Sequence, residues 1–267
     1  MNRWVKRGLI AIPLLVALFF GAIFLYAKVL NDAPEALSEA DLSEAVAGTE
    51  AEPATTSEGG DEPAPTRPSA ATGATETTAT EATATEATAA ADAAGVDGTW
   101  NVTPESEFGY RVEEVLFGVN TTAAGRSNEI TGSMTIEGTT VTEAMFTVDV
   151  GSITSDESRR DNQFRGRIME VDQFPEATFT LSAPIEFGSV PEPGTQITAT
   201  ATGDLTLHGV TRTVTFDVTA EAGENRLGVL GTIPVVFADY EIDNPSTSGI
   251  TTEDNGLLEF VLVFEPA

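Results

Sequence analysis

Four arginines, Arg159, Arg160, Arg165 and Arg167, fall within nine residues of the stretch SDESRRDNQFRGRIME, in a chain of formal net charge -29. Guanidinium groups gathered in this way either pair with carboxylates nearby or bind an anion. Their planar fork suits the second task, because it donates two parallel hydrogen bonds to a phosphate or carboxylate. The first has concrete partners: Glu157 with Arg160 and Asp161 with Arg165 have the spacing at which helical side chains meet. Exposed pairs of that kind contribute only ~0.3–0.5 kcal/mol each.

Other reactive chemistry is scarce. The chain has no cysteine and one histidine, which removes disulfides, thiolate catalysis, Cys-ligated zinc and His-rich metal sites. His208 stands in LTLHGVTR just before Gly209, a setting that predicts a turn whose imidazole bonds a backbone carbonyl. No Gly-x-Ser-x-Gly elbow supplies a nucleophile for it. A hydrolase working with carboxylates alone would draw on Asp149, Asp156 and Asp161. The acidic run from Asp239 to Asp243 lacks the glycine and glutamate of a calcium loop, with Asn244 and Ile250 in those places, and reads as a solvated edge strand.

The elements that position these residues show in the hydrophobic pattern. TEAMFTVDV alternates Ala144, Phe146, Val148 and Val150 against polar neighbours, and QITATATGDLTL, TVTFDVTA and GLLEFVLVFE do the same. Further strands begin near Trp100, Tyr110, Met134, Thr178 and Leu227. Period-two patterning broken by Gly, Pro and Asp turns predicts an all-β domain over residues 97–267, an antiparallel barrel or sandwich of about eight strands. One short helix is expected over 156–164, opened by a capping box at Thr154–Glu157 and followed by a turn at Gly166. Inward Phe146, Phe179, Phe216 and Phe260 would make any cavity apolar, and Ala144, Ala199, Ala201 and Gly203 would leave it room. Periodicity does not separate a filled barrel from a hollow one.

Two segments precede the domain. Residues 1–30 carry Arg3, Lys6 and Arg7 ahead of a charge-free apolar run from Gly8 to Ala27, long enough to cross about 30 Å of hydrocarbon. Its length favours a transmembrane anchor helix over a cleaved signal peptide, and the basic flank places the N-terminus in the cytoplasm. The rest of the chain is then expected outside the membrane, in a bacterial cell envelope. Residues 31–96 hold fourteen acidic side chains, Arg67 as the sole basic one, and no aromatic. That composition predicts a disordered acidic linker, extended by its own charge.

The stretch SDESRRDNQFRGRIMEVDQFPEATFTLSAPI, followed by TATGDLTLHGVTRTVTFDV, resembles the YceI-like family of extracytoplasmic polyisoprenoid- and lipid-binding proteins. The resemblance runs from Gly98 to the end of the chain. It implies an eight-stranded antiparallel barrel of lipocalin-like shape, a tunnel for a long apolar chain, and binding without catalysis or cofactor. Arg160-Asp161-Asn162-Gln163-Phe164 stands where relatives carry Arg-Asp-x-His-Leu, so the apolar tunnel carries over more directly than any head-group contact. On this reading Arg160 and Arg165 hold the head of a long-chain lipid or polyisoprenoid, and Phe164 closes the tunnel over Phe146, Phe179, Phe216 and Phe260. His208 and Gly209 remain structural.

The partners expected are therefore a lipid, and the membrane through the N-terminal helix. From Gly98 onward 27 acidic residues face 8 basic ones, which argues against nucleic acid. The alternative is an envelope interaction module with a filled barrel, whose protein partners the sequence does not identify.

Overall fold

The structure, a computed structural model, describes residues 33–48 and 96–267, together with Leu18, Phe20, Gly21, Ala22 and Leu25. Apart from those five positions, the anchor expected over residues 1–30 lies outside the described residues, as does the linker from residue 49 to 95. Among the described residues no helix is long and apolar enough to cross a membrane.

Twelve strands form one sheet: β1 (Gly98–Val102), β2 (Glu107–Leu116), β3 (Val119–Ser127), β4 (Ile130–Glu137), β5 (Thr140–Asp149), β6 (Glu176–Ala183), β7 (Ile185–Glu186), β8 (Gln196–Leu207), β9 (Val210–Ala222), β10 (Leu227–Val236), β11 (Ile250–Thr252) and β12 (Asn255–Pro266). The ring β1-β4-β5-β6-β8-β9-β10-β12 closes because β12 pairs back onto β1, giving an eight-stranded antiparallel barrel. Strand β12 is shared: Phe264 to Pro266 pair with β1, and Leu257 to Val261 pair with β2. β1 and β2 thus behave as one bent strand, and β3 flanks β2 as β4 flanks β1. On the far side of β3 the chain crosses at Thr154, whose backbone exchanges hydrogen bonds of 2.9 and 3.0 Å with Arg126.

The crossing leads into helix α2, whose range, Ser158–Gln163, is shorter than the sequence predicts, and then into a π-helical turn at Phe164–Ile168 that absorbs Gly166. The cap also differs. Glu157, not Thr154, accepts from the Arg159 amide, because Ser155 is held by the buried carboxylate of Asp161 through its N–H at 2.9 Å and its hydroxyl at 2.6 Å. The acidic run expected as an edge strand is instead a 3₁₀ turn at Phe237–Tyr240, with Glu241 left-handed at φ 56°. Backbone hydrogen bonds close this turn, from the Glu241 N–H to the Ala238 carbonyl at 3.3 Å and from the Ile242 N–H to the Phe237 carbonyl at 3.0 Å, and Tyr240 and Ile242 are both buried.

A larger departure lies before the barrel. Helix α1 (Glu39–Ala47) falls inside the stretch read as disordered, and it packs on the outer wall. Leu42 and Val46, four residues apart on one helical face, are buried against Val261 of β12. The seat needs Gly228 on β10, where a Cβ would lie 2.3 Å from a Val46 methyl and 2.6 Å from a Leu42 methyl. Ser38 opens the helix by donating its N–H (2.7 Å) and hydroxyl (2.6 Å) to Asp41, and these bonds hold that carboxyl below the usual range. Ser43 donates to Glu221 at 2.6 Å. Ahead of the helix, Arg111 donates to the Pro34 carbonyl at 2.7 Å and Arg126 to that of Glu35 at 3.0 Å. Both arginines also grip Glu259, which is 3 % exposed. Composition averaged over residues 31–96 conceals this arm, since its local pattern of cap and apolar i, i+4 pair is swamped by the tract that follows.

Leu42→Ala is expected to lower the unfolding free energy of the full chain by about 2–5 kcal/mol, the cost of emptying a buried leucine site. Urea denaturation checks it, and a change below about 0.5 kcal/mol, typical of surface sites, would return residues 33–48 to the linker.

Candidate functional site

Alternation along every barrel strand sends one set of side chains inward, yet they do not meet in the middle. A cavity of about 800 Å³ runs through the barrel, inside the range of roughly 300–1,000 Å³ usual for small-molecule sites. Phe146, Phe179, Phe216 and Phe260 all line it. Phe216 meets two of the other rings edge to face, with Phe179–Phe216 centroids 5.6 Å apart and Phe216–Phe260 6.1 Å apart, while Phe146 is tilted against Phe264 at 5.8 Å.

Why the rings leave the lumen open is visible in their cross-strand neighbours. Gly231 pairs with Phe260, and a Cβ at Gly231 would lie 2.3 Å from the Phe260 ring. Gly203 pairs with Leu181, diagonal to Phe179, and a Cβ there would lie 2.3 Å from the Phe179 ring. Each ring lies flat over a glycine, pressed to the wall instead of projecting across the bore. Ala144 and Ala201 add room among the inward positions. The barrel is therefore hollow, and the filled barrel required by the interaction-module alternative is not what the chain forms.

Lining residues that reach solvent, Phe117, Arg159, Thr247 and Ser248, gather at one end, while Val218, Leu262 and Phe264 toward the other end are buried. This mouth is framed by the β2–β3 hairpin, α2 and the segment before β11. Phe164 lines it and stacks on Tyr110, with centroids 4.7 Å apart and rings 14° from parallel. Arg160 lines it too, with its guanidinium on Asp156 one helical turn back. Burial pushes the Tyr110 phenol well above its ordinary pKa. Burial likewise raises that of Glu114, with Arg160 opposing and Asp156 and Glu113 reinforcing.

Arg165 does not reach the mouth. Its Nε donates to the Gly151 carbonyl at 2.7 Å and its Nη2 to that of Ile153 at 3.0 Å, so it staples the crossing segment in place of holding a head group. Arg167 donates to the Pro245 carbonyl at 2.8 Å. His208 and Gly209 form the β8–β9 turn with φ of 51° and 74°, the positive pair of a type I′ hairpin. The His208 Nδ1–H donates to the Tyr240 carbonyl at 3.2 Å, and Nε2 lies 3.3 Å from a Glu170 oxygen. Neither residue lines the cavity. Asp149 and Asp161 are spent on local bonds to Gly151 and Ser155.

Sequence reasoning placed Arg159 in the arginine cluster but not among the head-group residues, and passed over Gln163 and Glu114 at the mouth. Arg159 is exposed and has no carboxylate partner among the described residues. Helical spacing was the available signal: Arg159 and Gln163 are four apart, as are Arg160 and Phe164, so the first pair falls on the face beside the one that buries the aromatic.

A closed eight-stranded antiparallel barrel with an apolar bore opening at one end is of the kind wide enough to hold one small ligand. More particularly, the chain belongs to the YceI-like family, whose domain it matches over residues 100–264. A UPF0312 protein of Vibrio parahaemolyticus is 28% identical over 127 residues, covering 44% of this chain, and the chain spans 64% of that relative's length. A UPF0312 protein of Pseudomonas putida is 29% identical over 138 residues, 48% of this chain and 68% of the relative. Among solved structures, a polyisoprenoid binding domain from Saccharophagus degradans implicated in plant cell wall breakdown shares the fold, with TM-score 0.50 and 17% identity, over 63% of this chain and 98% of that one.

The raised Glu114 pKa fixes a sign. A carboxyl that is harder to ionise folded than unfolded favours folding below its unfolded pKa, and that contribution is lost as pH rises through the folded value. Glu114→Gln is thus expected to be more stable than the parent at pH 7, with the gain shrinking as the pH falls toward 4, near the ordinary carboxyl value. Thermal unfolding across that interval reads it, and a gain that grows toward acid pH contradicts the assignment.

Proposed function

We propose that this protein binds a long-chain amphiphile, an isoprenoid or similar lipid, with its apolar tail along the phenylalanine-lined bore and its polar end at the mouth. The observation that carries this reading is the cavity of about 800 Å³, walled by aromatic and aliphatic side chains and open at one end only. Burial of the tail supplies the affinity, at about 0.8 kcal/mol per methylene. The fold shared with the polyisoprenoid binding domain supports the same reading. At the mouth, Arg159 offers an exposed guanidinium to the head group, and Arg160 stands behind it on Asp156.

The activity is sequestration, without a chemical step. The apolar run Gly8–Ala27 holds the chain in the membrane with the barrel on the extracytoplasmic side, a reading supported by its length and basic flank.

Lipid extraction and native mass spectrometry of the purified chain test the proposal, with a co-purifying lipid near one per barrel as the expected result. Gly231→Ala sharpens the test by driving the Phe260 ring into the bore. Losing the space of two methylenes corresponds to about 1.6 kcal/mol, or roughly tenfold in affinity for a prenyl chain. Unchanged affinity in a variant that folds normally by circular dichroism would move the ligand out of the bore.

A further inference from the structure

We propose that the rim of the cavity rests on the same bilayer that holds the chain's own apolar run, so that the mouth opens onto the membrane. This rests on the reading of residues 8–27 as an anchor and of the bore as a lipid site.

The polarity of the docked arm is the first observation. Pro34 and Glu35 sit at the level of Arg111, Arg126 and Glu259, partway along β2 and β12. From there α1 descends to Gly228, and Gly48 ends the arm beside Arg226 in the β9–β10 turn, at the end remote from the mouth. The N-terminal end of the arm is its mouthward end.

Chain length is the second. Residues 28–32 alone separate the apolar run from the arm, and the six Cα–Cα steps from residue 27 to Ala33 span at most about 22 Å. The climb from Arg111 to the end of β2 at Leu116 is five residues, about 17 Å at strand rise. An arm docked from Ala33 that leads mouthward, on so short a connection to the apolar run, therefore brings the rim to the membrane surface.

The third observation is what the rim presents. Phe117 tips the β2–β3 hairpin at the mouth, 49 % exposed, with φ of 47° and Gly118 next to it. Its ring packs over Gly249, where a Cβ would lie 2.4 Å from it, and the half of the side chain left exposed at the rim suits the interfacial layer of a bilayer. Charge does not drive the contact, since the domain is strongly acidic and Glu113, Glu253 and Asp254 lie near the rim. The short connection does, by converting docking into an intramolecular event at high effective concentration.

Because the chain has no cysteine, single labels report position cleanly. Full-length chain carrying a bimane fluorophore at Asn120→Cys on the rim, or at Glu224→Cys in the remote turn, is inserted into phosphatidylcholine vesicles with brominated acyl chains. Loss of fluorescence at 120 with none at 224 is the expected result. Equal loss at both sites, loss confined to 224, or failure of the chain to associate with vesicles overturns the proposal. A second form, Leu42→Asp with Val46→Asp, releases the arm and adds residues 33–95 to the tether, so quenching at 120 is expected to vanish. Quenching that persists removes the arm from the account. Uptake of a prenyl alcohol by the detergent-solubilised chain is measured in parallel. Intact uptake without rim quenching rejects the docking and leaves the lipid site standing, whereas absent uptake rejects the site itself.

Discussion

The ladder that joins β12 to both β1 and β2 is the constraint on which everything else in the molecule depends. Closing eight strands fixes the circumference, and with it the width of the bore. What remains inside is then decided by volume at inward positions. Phenylalanines supply the apolar surface, and glycines on neighbouring strands let two of those rings lie against the wall. The same strand serves the exterior. Leu258, Phe260, Leu262 and Phe264 face the bore, while Glu259 and Val261 between them seat the N-terminal arm. One strand with period two thus builds two surfaces of opposite purpose.

Scarce positive charge is distributed accordingly. Arg111 and Arg126 share a buried glutamate and hold two carbonyls of the arm, an arrangement in which every charged group has a partner. Arg165 ties down carbonyls of the crossing segment and Arg167 that of Pro245. Arg160 is balanced by Asp156, and Arg159 faces solvent at the entrance. The cluster in the sequence is therefore neither a purely solvated face nor a four-fold anion clamp. Most of it is scaffolding for the crossing segment, with one member left presented to whatever occupies the opening.

Much of the fold was legible because alternation in strands such as β5, β8, β9 and β12 is strong, and because a half-buried strand writes its inward set directly into the sequence. The inward phenylalanines followed from the same pattern. Strand β3 was not legible: Val119-Asn120-Thr121-Thr122-Ala123-Ala124-Gly125 is small and polar, and its place is set by pairing with β2. Whether the barrel is hollow was equally hidden, since it turns on which glycine lies beneath which ring, a matter of register and twist. Arg165, expected at the head group, instead donates from the π-helical turn to backbone carbonyls of the crossing segment. The arm escaped because a composition average describes a long segment and not the ten residues that fold.

The seat of α1 has a consequence for the order in which the molecule is made. It is built from β10 and β12 and needs Val261, so it does not exist until synthesis has passed residue 261. The arm is translated first and finds its place only after nearly every other contact is available. Until then its two apolar side chains and the main-chain carbonyls of Pro34 and Glu35 lack the partners they have in the folded barrel. Maturation of this protein thus finishes with its beginning, and a cell that recognises exposed apolar segments would read an undocked α1 as the mark of an unfinished barrel.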